Sequence, residues 1–198
     1  MTATISTAFR ICRQRLVGLW RDRSGIAATE FAIIVPLMLV LFFGVVEFST
    51  GVAVDRKVTL VARTLSDLVS QNISVTDTQF TNFFNAGNQV MSQYAQSPYS
   101  ASTLHSTISM LYVDPNTHTA KVQWSTGHAV RATGSVVTIP TALKVDGTYL
   151  IFSEVSYLYT PTVGYVMAPS GVNLADVSYT RPRQSSCVMY NTTVFPTN

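Results

Sequence analysis

Fully charged side chains make up only 12% of this 198-residue chain, about half the share of an ordinary soluble domain. That scarcity, with a mean hydropathy of +0.26, points away from a freely soluble surface and toward a membrane, export or an assembly. Cysteine is nearly absent, with Cys12 and Cys187 alone, so neither a disulfide framework nor a cysteine-based zinc site is available. The three histidines, His105, His118 and His128, stand in no metal-ligand spacing with one another or with an acid. A nucleophile elbow, a phosphate loop, a CxxC pair and a dinucleotide fingerprint are all missing. Glu154 reads as a partly buried lone acid. The sequence therefore predicts no enzyme, no metal and no cofactor.

Basic charge is also missing where a nucleic-acid binder would need it. The pI is about 9.0, but Arg10, Arg13, Arg15, Arg21 and Arg23 face one acid, Asp22, within residues 1–25. The remaining 173 residues hold 8 basic and 9 acidic side chains, too even a balance for a phosphate-backbone surface. No nucleic-acid partner is expected.

What is present is one long apolar run. Phe31 to Val46 reads FAIIVPLMLVLFFGVV, and from Ser24 to Val46 the only carboxylate is Glu30. A membrane helix needs about 20 such residues. Phe31, Pro36, Leu39, Phe43 and Val46 are expected to form the anchor, because a proline is tolerated in a membrane helix when neighbours re-satisfy the backbone. The positive-inside rule then assigns residues 1–24 to the cytoplasm and everything after Val46 to the other side. Cys12 and Cys187 are thereby separated by the bilayer, leaving Cys187 either buried and inert or free to pair between molecules. A cleaved signal peptide competes with this reading, but its apolar region is shorter and Gly51-Val52-Ala53 is a poor cleavage site.

At the head of the run stands Ser24-Gly25-Ile26-Ala27-Ala28-Thr29-Glu30-Phe31. An acid at the start of a membrane helix is tolerable near the interface, where the helix dipole favours it. It gains a partner if the chain is cut after Gly25. Ile26 then carries a free amine, and Glu30 of one helix can neutralise the amine of its neighbour, rewarding correct axial register because an unpaired buried charge is costly. A glycine at that point admits a protease to the backbone and lets the chain leave the helix.

Basic residues, Gly25, four residues, Glu30-Phe31 and an apolar helix resemble the processing motif of type IV pilin precursors. The string from Gly25 through Pro36 to Glu47, together with Arg63-Thr64-Leu65-Ser66-Asp67-Leu68-Val69-Ser70-Gln71, is similar to TadE-like pseudopilins of the tight-adherence branch. The resemblance covers about residues 15–71 and is weaker beyond. It implies cleavage between Gly25 and Ile26 by a prepilin peptidase. It also implies a minor, pilin-like role in assembling a Flp-type pilus, with other pilin and pseudopilin subunits and the assembly platform as partners. The chain would be held in the bacterial inner membrane with its C-terminal domain periplasmic, in or at the base or tip of the pilus. TadG-type relatives often carry a von Willebrand A domain with an Asp-x-Ser-x-Ser metal motif. No such string occurs here, which favours the TadE side. The alternative function is an uncleaved single-pass binding module whose aromatic-rich outer domain holds a surface ligand.

Three segments follow: a basic leader (1–25), a transmembrane and extended helix (26–71), and an extracytoplasmic domain (72–198). Val54, Val58, Val61, Leu65 and Leu68 recur at helical spacing, with Gly51 expected to loosen the helix midway. Thr76 and Gln79 predict a capping box opening a second helix over Asp77–Tyr94. Alternation then predicts a hairpin about Asp114-Pro115-Asn116-Thr117, a long strand Thr148–Tyr159 and a last strand Asn173–Thr180. The expected fold class is α+β: a long anchor helix continuing into a domain with a second helix and an antiparallel sheet, pilin-like in outline.

Overall fold

The computed structural model describes residues 24–92, 104–161 and 171–191. The five leader arginines and Cys12 lie outside them. The chain divides into two compact units, Met1–Val46 and Glu47–Asn198.

In the first unit the described residues are helical throughout, as the first part of helix α1, Ser24–Ser70. Leucine, alanine and phenylalanine hold the helix without side-chain competition for backbone groups. Pro36 lies inside it, and neither Gly44 nor Gly51 interrupts it. The expected loosening at Gly51 is therefore absent, because a single glycine lowers helix propensity by only ~1 kcal/mol.

The second unit is built on the α1 residues from Glu47 onward. Val54, Val58, Val61, Ala62, Leu65 and Val69 are all fully buried, so the periodic stripe is the seam of this domain. Leu68, expected on it, is only half-buried, and Val69 takes its place. Helix α2, Asp77–Met91, opens with the capping box: the Thr76 N–H donates to Gln79 Oε1 at 2.9 Å, and the Gln79 N–H donates to Thr76 Oγ1 at 3.4 Å. The predicted extension to Tyr94 falls outside the described residues. Phe80 is buried and touches the rings of Phe83, Phe84, Trp124 and Tyr190. A Cβ on Gly87 would sit 3.1 Å from Val61, so the small residue brings α2 close to α1.

Five antiparallel strands form the main sheet: β2 (Leu104–Val113), β3 (Ala120–Gly127), β4 (Val136–Val137), β5 (Tyr149–Tyr159) and β6 (Val172–Thr180). Their spatial order is β4-β3-β2-β5-β6. Alternation along β5 divides its side chains between two apolar clusters. Tyr149, Ile151, Val155 and Tyr157 pack with the α1 stripe and α2, whereas Leu150 and Phe152 join Leu111, Val113, Val122 and Ile139 on the opposite face. The fold is α+β, as the periodicities predict.

One pairing was not foreseen. Residues 74–75 (β1) and Met189–Tyr190 (β7) form a small parallel sheet, so the chain after Arg183 returns across the end of α1. The Arg183 N–H donates to Ser70 O at 2.9 Å, and its guanidinium pairs with Asp67. The buried Trp124 Nε1–H donates to Val188 O at 2.9 Å. Cys187 packs half-buried against the first cluster.

Candidate functional site

Gly25, Ile26, Glu30 and Phe31 fall on the first two turns of α1. At 3.6 residues per turn, Ile26 and Glu30 share one face of the helix, one turn apart. The Thr29 hydroxyl donates to Ile26 O at 2.8 Å, a local bond that leaves the neighbouring carboxylate at the surface. Gly25 is helical and is not among the positive-φ glycines. Gly25 thus continues the helix described from Ser24 onward. A Cβ built on Gly25 meets nothing within 4 Å. Neither backbone conformation nor packing among the described residues therefore demands glycine at this position.

The rest of the segment is an apolar surface without cover from the described chain. Phe31 is 68% exposed, Leu39 49%, Phe43 40% and Val46 47%. Pro36 also lies at the surface, and the rings of Phe42 and Phe43 meet edge to face at 5.4 Å. Contiguous apolar surface on this scale is not left in water. By length and composition the helix is able to cross a membrane. Among the described residues it is the one long apolar run that the fold does not bury, and lipid or neighbouring helices are the covers its chemistry fits.

Chemistry elsewhere is sparse. Among the described residues no group of three histidines, cysteines or acids is placed to hold a metal. Glu154 is not the lone acid of the sequence reading: Arg131 reaches it as a fork, with Nε at 2.7 Å and Nη2 at 2.6 Å from its two oxygens. This bidentate contact, more than the opposing effect of burial, holds the Arg131 guanidinium's pKa above its ordinary value. Nothing in the 23-residue separation signals that pair. His105 and His128 stack face to face with ring centres 3.6 Å apart, another contact that the sequence spacing hides. His118 is exposed beside Asp146, 2.9 Å away.

Comparison with known proteins bears on the N-terminal part. No curated protein and no solved structure matches the chain. Residues 25–65 match the family model described as TadE-like protein. That stretch opens at Gly25, takes in Glu30 and the whole apolar run, and ends at Leu65 on the buried stripe. Over this segment the chain is similar to the TadE-like proteins.

Proposed function

We propose that the chain is a minor, pilin-like structural subunit of the tight-adherence (Flp) pilus, matured by a prepilin peptidase that cuts between Gly25 and Ile26. The TadE-like segment supports a Tad-pilus-related protein, and its long apolar helix suggests a membrane anchor. The observation that carries the finer reading is the placement of Gly25 and Glu30. They sit at the head of an uncovered apolar helix, where packing gives no reason for a glycine. A processing enzyme supplies that reason, because a residue without a side chain lets the scissile backbone enter an active site.

Cleavage leaves Ile26 with a free amine in a largely apolar surrounding. A neighbouring subunit whose Glu30 lies at the matching height neutralises it, so that only one axial register avoids an unpaired charge. The role is structural, and the chain is a substrate of proteolysis rather than a catalyst. The arginine-rich leader orients the precursor with its N-terminus in the cytoplasm and residues 47–198 in the periplasm. Its partners are the inner membrane, the prepilin peptidase, other pilin and pseudopilin subunits and the assembly platform. The aromatic residues that would serve a surface-binding module are largely spent in the core, where Phe80, Trp124, Tyr149 and Tyr157 are all buried.

N-terminal sequencing of the protein purified from membranes tests the reading. Ile26 is expected as residue one, and a mature chain that still begins at Met1 or Thr2 overturns it.

A further inference from the structure

The face of the sheet turned away from α1 is closed by apolar side chains at one end and is polar at the other. Strand registers align Thr107 with Glu154 and Val177, and His105 with Ser156 and Ala175, across β2, β5 and β6. Paired residues project from the same side of a sheet, so Thr107, Glu154, Ser156 and Ala175 form a floor there, with Val177 at its edge strand. One wall is the loop that leaves β3. Gly127, at φ 126°, makes the turn possible, since a Cβ there would lie 2.2 Å from Ser106 O. The loop is then fixed at successive points: the His128 N–H donates to Ser106 O at 3.0 Å, the Ala129 N–H to Thr107 Oγ1 at 3.0 Å, and the Arg131 N–H to Ser125 Oγ at 3.0 Å. The Arg131–Glu154 fork closes the series. The result is a cleft of about 450 Å³ lined by the stacked His105 and His128, the fork and Asp176, a size in the range of small-molecule sites.

We propose that this cleft binds a neutral pyranose, a single saccharide unit. Such a ring has an apolar C–H face and a rim of hydroxyls that each donate and accept. The exposed, stacked imidazoles supply a flat surface for the first. The guanidinium, the Glu154 carboxylate and the Ser156 hydroxyl supply fixed donors and acceptors for the second. Other ligand classes fit less well. The imidazole planes lie within 7° of parallel, so their nitrogens do not converge on one ion. Glu154 opposes an anion, and a floor that sets the Arg131–Glu154 fork and Ser156 among Ala175 and Val177 offers little to a lipid chain. Backbone bonds and the Arg131–Glu154 fork hold the wall in place, so little ordering cost falls on binding.

The test is saturation-transfer NMR on the full-length chain in lipid nanodiscs, free of alkyl-glycoside detergent, with glucose, galactose, mannose and N-acetylglucosamine as probes. At least one is expected to receive transfer at its ring C–H protons, with a dissociation constant on the order of 1 mM. Because His128 is exposed, replacing its side chain leaves the fold intact. His128→Ala should weaken binding at least about tenfold, whereas His128→Phe, which keeps a flat ring, should retain it. Absence of transfer to all four sugars, transfer that is unchanged in His128→Ala, or loss in both variants overturns the proposal.

Discussion

The hydroxyl of Ser66 lies 2.9 Å from that of Ser178, 112 residues later, and 3.0 Å from that of Thr180. Ser66 stands on the buried stripe of α1 and the other two on β6, so a polar contact marks the centre of an otherwise apolar seam. On the neighbouring strand, Ser153 is equally buried, yet its Oγ makes no hydrogen bond among the described residues.

These two serines should respond oppositely to the same change. Ser66→Ala removes a bonded hydroxyl and leaves two half-buried partners, a loss of about 1 kcal/mol. Ser153→Ala removes a buried polar atom that gives nothing back, so it should be neutral or stabilising. Urea unfolding of the full-length protein in micelles compares them, and equal destabilisation by both would refute the assignment.

A larger effect is expected at Trp124. Its indole N–H is the donor to Val188 O in the buried core, and its ring touches Phe80 and Tyr190. Trp124→Phe leaves the carbonyl unpaired and should cost about 2–3 kcal/mol. Hydrogen exchange locates the damage. The Met189 and Asn191 amides, which donate to Ile73 O and Val75 O in the small parallel sheet, should lose protection before those of the β2–β5 pairing.

That sheet also shows where sequence reading stops. The Thr76–Gln79 box, the α1 stripe and the alternation in β5 are local periodicities, so the elements and their buried faces were legible from residues alone. The pairing of Ser74–Val75 with Met189–Tyr190 spans more than a hundred residues, and two-residue strands carry no alternation. Arg131 and Glu154 lie on a loop and a strand that only the tertiary fold brings together. His105 and His128 meet because Gly127 takes a backbone conformation that no neighbouring residue announces. At the candidate processing site the reverse holds. Gly25 and Glu30 are legible because their meaning is a spacing along one helix, while Gly25's helical backbone required the structure.

The turn between β2 and β3 gives a pH signature. Asp114 accepts from Lys121 Nζ at 2.7 Å and from the Asn116 N–H at 2.9 Å. The lysine contact foremost, then the amide, lowers its pKa from 3.8 to about 2. A carboxylate depressed in the folded state adds stability that is fully present above its unfolded pKa, near 4, and is lost as pH falls through about 2. Asp114→Asn should therefore destabilise the protein at pH 5, with the difference from wild type shrinking as pH drops from 4 to 2. Denaturation midpoints that stay equally far apart across that range would show that the ion pair is not the cause.

Processing and assembly are separable at the head of α1. Leucine is a strong helix former, and a Cβ at position 25 meets nothing within 4 Å, so Gly25→Leu should leave helicity and unfolding midpoint unchanged. If a peptidase reads the backbone there, the same variant accumulates as a precursor that still carries residues 1–25, and piliation fails. Glu30→Leu removes the carboxylate but leaves the glycine, so its chain should be cut where wild type is cut and then fail to enter pili, because the Ile26 amine has lost its counter-charge. Immunoblotting reports precursor and mature lengths, and sheared surface fractions report assembly. Wild-type piliation by Glu30→Leu would discard the amine–carboxylate pairing and leave the cleavage standing. Normal maturation of Gly25→Leu would discard the cleavage itself.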